Sequence, residues 1–277
     1  MKRPPTLLVM LAVALVAAAG AGAVLLRQSR DLDERITSVA LQGGVHARVV
    51  LPAGYATSGK RYPVVYFLHG LPGNARSYRG NAWVIDALER AGPAILVIPQ
   101  GARDNDTDPE YLNWGAGRDW ETYVADEVPA YVDAHFRTIA SRAGRALVGV
   151  SAGGYGATIL GLHNLGRFSV IESWSGYFHP TDPTGTTPLA RGAVTSAHSF
   201  VGKVGNLDVD EPTFLAFYVG NHDTRFLAEN EQFDRELTRA HVAHTFDVYP
   251  GAHQTSLWRA HATYWLAMAL RHLATPH

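Results

Sequence analysis

Ser151 stands in Gly149-Val150-Ser151-Ala152-Gly153, a G-x-S-x-G pattern flanked on its far side by Gly154. A serine hydroxyl at its ordinary pKa is a poor nucleophile and needs a base to take its proton, with a third group to orient that base. Small residues around the serine allow a turn tight enough to push its oxygen out of the backbone. Arg145–Val150 reads as a strand and Ala152–Leu165 as a helix, so the serine sits at the strand-to-helix turn this chemistry demands. A glycine-rich turn of this kind could instead cradle a phosphate, but no Walker or dinucleotide fingerprint accompanies it.

Where a nucleophilic serine occupies such a turn, the acid and the histidine follow it in the chain, on loops after later strands. Of 13 histidines, His253 alone falls on a loop between a final strand, His244–Tyr249, and a final helix, Thr255–Leu273. His241 and His244 read as surface residues flanking that strand, and His261 lies inside the helix. Strand Thr213–Val219 ends in Gly220-Asn221-His222-Asp223, which makes Asp223 the acid that would fix the imidazole tautomer. Glu229 is the weaker rival, already within the next helix. A tetrahedral intermediate also needs preorganised N–H donors. Ala152, next after the serine, supplies one. Leu71 supplies the other, from the loop His69-Gly70-Leu71-Pro72-Gly73-Asn74, where Pro72 has no N–H to offer.

These residues need a scaffold that gathers loops at one edge. Ile36–Leu41 and His46–Leu51 predict a hairpin around Gln42-Gly43-Gly44. Continuous apolar runs at Tyr62–Leu68, Ala94–Ile98, Arg145–Val150, Val170–Trp174 and Thr213–Val219 predict strands buried on both faces. Helices are expected over Ser77–Ala91, Trp120–Phe136 (kinked at Pro129), Ala152–Leu165, Phe226–His241 and Thr255–Leu273. Alternating strands and helices predict an α/β fold, a mainly parallel sheet with helices on both faces. Residues 177–211, rich in Gly, Thr and Pro, read as an insertion over the carboxyl ends of the strands, where such sheets bind ligands.

Composition narrows the alternatives. The chain has 277 residues, 47% apolar and 18% charged, with 24 basic against 25 acidic side chains and no cysteine. Disorder, a disulfide framework, a thiol nucleophile and Cys-ligated zinc are excluded, and neither a basic excess nor basic runs favour a nucleic-acid partner. Asp104-Asn105-Asp106-Thr107-Asp108 resembles a calcium loop but has Pro109 for the turn Gly and Gly115 for the bidentate Glu, so a solvated acidic loop is expected and no metal site. Lys2 and Arg3 lead into an uncharged apolar run from Leu7 to Leu26, with Ala21-Gly22-Ala23 as a cleavage pattern. Residues 1–30 therefore read as a secretory signal or a membrane anchor, and 31–277 as an extracytoplasmic catalytic domain. Trp114, Trp120 and Trp258 lie near the proposed loops and Trp174 ends a strand, so each, with His69, is a candidate substrate contact.

Taken together, the His69-Gly70-Leu71 loop, the Gly149–Gly153 turn, Asp223 and His253 resemble the serine esterases of the esterase D type, a group related to secreted mycolyltransferases of the antigen 85 type. The similarity runs from about Arg35 to the C-terminus. Trp120-Glu121-Thr122-Tyr123, continuing to Glu127-Val128-Pro129, is similar to the helix preceding the serine turn in both groups. The resemblance implies an α/β-hydrolase fold, a Ser-His-Asp triad working through an acyl-enzyme, and no cofactor. It also implies a small-molecule or cell-envelope ester as substrate. His69 stands where the mycolyltransferases resemble one another in carrying Asp, and Asp223 where they carry Glu, which favours hydrolysis over acyl transfer to a sugar hydroxyl. Some relatives have lost the serine and act as envelope-binding proteins; this chain keeps it.

Overall fold

The computed structural model describes residues 30–180, 195–201 and 212–277. Eight strands form one sheet: β1 (Asp31–Ser38), β2 (Gly43–Val50), β3 (Val64–Leu68), β4 (Ile95–Pro99), β5 (Arg145–Val150), β6 (Val170–Trp174), β7 (Phe214–Gly220) and β8 (Thr245–Tyr249). Their spatial order is β1-β2-β4-β3-β5-β6-β7-β8. The β1–β2 and β2–β4 pairs are antiparallel and every later pair is parallel. Strands β3, β4 and β6 are buried at every position, and β5 at all but Arg145, as continuous apolar runs require when both faces are covered.

Among the described residues, helices of eight residues or more are α1 (Trp83–Ala91), α2 (Val128–His135), α3 (Ala152–His163), α4 (Leu227–Arg239) and α5 (Thr255–Arg271). Alternation along the strands sends Val65, Phe67, Val148 and Tyr218 to the face covered by α1 and α5. Val64, Tyr66, Leu68 and Leu147 pack on the opposite face beneath α2 and α3. A third cluster joins Ile171 and Phe217 to Phe233 and Leu237 of α4. This is the α/β-hydrolase architecture, with the loops after β3, β5, β7 and β8 gathered at one edge.

Three local departures from the sequence reading have visible causes. The β1–β2 turn falls at Val39–Gln42, earlier than Gln42-Gly43-Gly44. There the Glu127 carboxylate accepts the Val39 and Ala40 N–H groups and the Ser38 hydroxyl, a cap some 87 residues away in the chain. The stretch Ser77–Ala91 divides into a short 3-10 turn, Ser77–Arg79, and α1, because Asn81 takes a positive φ of 54° between them. At Pro129, where a kink was expected, the preceding turn Tyr123–Glu127 widens to a π turn closed by the Val128 N–H on the Tyr123 carbonyl. Proline cannot donate to the Ala125 carbonyl four residues back and its ring crowds it. The Arg167 guanidinium donates to that carbonyl instead, at 3.4 Å.

The expected signal or anchor, residues 1–30, lies outside the described residues apart from Arg30, as does most of the expected insertion. Among the described residues no helix is long and apolar enough to cross a membrane.

Candidate active site

Ser151 occupies the single residue between β5 and α3, with φ 54° and ψ −123°. Positive φ in a non-glycine residue is strained and persists only where the surroundings hold it. Two contacts do so here. The Ser151 N–H donates to the Trp174 carbonyl at 3.0 Å, and the Gly154 N–H closes the turn on the Ser151 carbonyl at 2.8 Å. The glycines of the motif are required by space: a Cβ on Gly149 would overlap the Gly153 carbonyl, and one on Gly153 would overlap the Leu68 carbonyl of β3. Strand β3, turn and helix thus press together, and the serine is forced outward.

The structure brings the expected acid and base to that serine. His253 Nε2 lies 2.9 Å from Ser151 Oγ, and His253 Nδ1 lies 2.7 Å from Asp223 Oδ2. The Asp223 side chain is fully buried. Its second oxygen, Oδ1, accepts the backbone N–H groups of Arg225 and Phe226 at 3.2 and 3.3 Å, so the carboxylate cannot rotate freely. The two loops are stapled together. Asn221 N–H donates to the Tyr249 carbonyl, His222 N–H to the Gly251 carbonyl, and Gly251 N–H to Asn221 Oδ1. Parallel pairing of Gly220 with Tyr249 starts both loops at the same level. His222 itself is exposed, the loop residue its position suggested.

The His253 ring rests between two aromatic edges, Phe226 at 5.1 Å and Trp258 at 5.2 Å between centroids. Trp258 is fixed in turn by donating its indole N–H to Ser175 Oγ at 3.0 Å. Of the tryptophans singled out from the sequence, Trp258 is the one whose ring packs on His253. Trp120 is fully buried and donates to Asp106 Oδ2 at 2.8 Å, and Trp174 is fully buried against Phe67, Trp83 and Tyr218. Both are core residues, a correction to their reading as substrate contacts. Trp114 is half-buried with its N–H on the Pro109 carbonyl and Arg118 over its ring. The acidic loop is tied down by Arg118 on Asp106 and by Ala75 N–H on Asp104.

The His69 loop abuts the serine, since Leu68 pairs with Gly149 across β3 and β5. A Cβ on Gly70 would stand 3.2 Å from Ser151 Cβ and 3.3 Å from the Val150 carbonyl oxygen, a tight fit against the serine turn. The Ala152 N–H belongs to the first turn of α3, whose N–H groups have no carbonyl within the helix to bond. The Ala152 N–H therefore lies next to Ser151, and Leu71 follows the Gly70 that packs on the serine. His69 has a different place from the one expected. Its ring is 1% exposed, with Nδ1 on the Gly70 carbonyl at 2.9 Å and Nε2 accepting the Gly101 N–H at 3.1 Å. Its own carbonyl accepts the Tyr111 hydroxyl at 2.7 Å. Burial pushes the His69 pKa down, so it stays neutral and pins the loop; it is not a substrate contact. Glu229 points away from His253, toward His179 and His198. His244, expected at the surface, is mostly buried and bonds Asp234 at 2.9 Å.

Residues 38–263 match the family described as "Putative esterase". Over 129 residues the chain is 35% identical to Esterase Rv1288 of Mycobacterium tuberculosis (strain H37Rv), covering 46% of this chain and 28% of that protein. The matched stretch is thus little more than a quarter of the relative's length. Among solved structures, a ferulic acid esterase superposes with a TM-score of 0.74 at 22% identity, covering 88% of this chain and 97% of the other. The S-formylglutathione hydrolase FrmB of Staphylococcus aureus gives 0.70 at 20%, covering 86% and 98%. M. tuberculosis MPT51 gives 0.65 at 17%, covering 87% and 99%. At these identities the structural likeness establishes the shared fold.

Proposed function

The chain belongs to the Esterase family, and from that membership we propose that it is an exported serine esterase that hydrolyses carboxylic esters through an acyl-enzyme. The observation that carries this reading is the relay Ser151 Oγ–His253 Nε2 at 2.9 Å and His253 Nδ1–Asp223 Oδ2 at 2.7 Å. Export is supported by the basic Lys2 and Arg3 ahead of the apolar run Leu7 to Leu26.

In the first half-reaction Ser151 Oγ attacks the ester carbonyl carbon while His253 Nε2 takes the hydroxyl proton. The imidazolium is stabilised by Asp223 Oδ2, which accepts the Nδ1–H throughout. Charge develops on the former carbonyl oxygen and is met by the N–H groups of Leu71 and Ala152. Collapse of the tetrahedral intermediate breaks the bond to the alcohol, which leaves with the proton from His253. Water then attacks the acyl-enzyme, giving its proton to His253, and His253 returns that proton to Ser151 Oγ as the acid departs.

Hydrolysis of p-nitrophenyl esters from acetate to palmitate, by the wild-type protein and Ser151→Ala, tests the reading. Loss of a relay member is expected to lower turnover by at least ~1000-fold. Equal rates in the two proteins would refute it.

A further inference from the structure

His179, His198 and Glu229 converge on one point, their donor atoms all within 4.8 Å of one another. They come from three separate places: the chain just beyond β6, the 3-10 turn Ala197–Phe200, and the first turn of α4. His179 Nδ1 contacts Glu229 Oε1, and His198 Nε2 faces the same oxygen at 3.5 Å. The Phe178 N–H donates to it as well, at 2.8 Å. Beyond this set, Glu236 Oε2 lies 2.5 Å from His198 Nδ1. A carboxylate accepting the Nδ1–H fixes the tautomer and turns the Nε2 lone pair inward, the arrangement that commonly supports a metal-bound imidazole.

That geometry places two imidazole nitrogens against one carboxylate oxygen in a partly buried recess, with side-chain exposures of 32%, 21% and 13% for His179, His198 and Glu229. Without a cation, the inward nitrogens need protons to face Glu229. A divalent ion would replace those protons with a single positive centre.

We propose that His179, His198 and Glu229 form a zinc-type divalent metal site, with Glu236 orienting His198 and water completing a tetrahedral set. Two imidazoles and one carboxylate suit Zn²⁺, whereas Ca²⁺ and Mg²⁺ prefer all-oxygen ligands. The ion would staple the segments carrying His179 and His198 to α4. It would also brace Tyr177 against Phe226, rings 4.9 Å apart, and Phe226 lies against His253. The role is structural and separate from the Ser151 relay.

The test is calorimetric titration of the EDTA-treated, dialysed full chain with ZnCl₂, alongside thermal melts with Zn²⁺, Mg²⁺ or Ca²⁺. Wild type is expected to bind Zn²⁺ saturably and to melt higher with Zn²⁺ alone. His198→Gln and Glu229→Gln should abolish the melting shift, and Glu236→Gln should weaken binding by about 10–100-fold. Ester turnover by these variants without added metal checks that each is folded, and Glu236→Gln, which alters no ligand, serves if the others are not. No saturable Zn²⁺ binding by the wild type, or equal affinity in wild type and variants, overturns the proposal.

Discussion

Replacing Asp223 by Asn tests the relay at its most constrained point. Asp223 Oδ1 accepts two backbone N–H groups, from Arg225 and Phe226. In the variant that position must keep the amide oxygen, because an NH₂ group there would face two donors. The amide nitrogen is therefore driven to the position of Oδ2, 2.7 Å from His253 Nδ1, where it donates. His253 then holds its proton on Nε2, facing Ser151 Oγ, and cannot accept the serine proton. The same tautomer fault in a serine-histidine-aspartate triad lowers kcat by about 10⁴-fold, or about 5 kcal/mol at 1.36 kcal/mol per decade. A loss of that order in kcat is expected here. KM should change little, since a fully buried carboxylate touches no substrate. The assay is steady-state hydrolysis of p-nitrophenyl butyrate, with a thermal melt to show that the isosteric variant folds. Retention of more than about a tenth of wild-type kcat would refute the orienting role, because the tautomer argument allows no such remainder.

The remaining tests separate positioning from packing. Trp258→Phe keeps the ring against His253 and loses only the bond to Ser175, so kcat should fall by less than about 10-fold with little change in stability, as for one neutral hydrogen bond. Trp120→Phe removes a buried donor to Asp106 and should lower stability by about 1–3 kcal/mol in denaturant melts while leaving KM unchanged; a raised KM would restore Trp120 as a substrate contact. The depressed pKa of His69 means the unfolded chain binds its proton first as pH falls. Its contribution to stability is therefore present above the unfolded value of 6.5 and is lost as pH drops toward the lower folded value. Melting temperature should decline more steeply below pH 6.5 in the wild type than in His69→Gln, and parallel profiles would count against the buried neutral imidazole.

Much of the site was legible because its members are set by local chain chemistry and by one topological fact. The serine turn needs small residues at fixed offsets, and Gly149 and Gly153 show why: each lies against a backbone carbonyl. Parallel strands deliver their following loops to the same edge, so Asp223 after β7 and His253 after β8 could be paired before any contact was seen. Strands β3 to β7 were marked by continuous apolar runs, and their ends moved by only a residue or two, whereas β1 begins five residues before the expected Ile36 and β2 three before His46.

The direction of a side chain on or near a loop was not legible. His69 was placed correctly in the chain, yet its ring turns inward because Gly101, 32 residues further on, donates to Nε2 and the Tyr111 ring, 42 residues on, packs against it. Trp120 and Trp174 sit beside the right loops, but packing against residues remote in sequence takes both into the core. The Val39–Gln42 turn is set by Glu127, and the His179–His198–Glu229 cluster by the packing of three segments. Sequence by itself placed Ser151, Asp223 and His253 on loops at one edge and determined the sheet that carries them, since short-range sterics and strand periodicity act within a few residues. Tertiary structure alone decided which neighbouring side chains face the site. That choice depends on hydrogen-bond partners and packing contacts that meet only when the chain has folded.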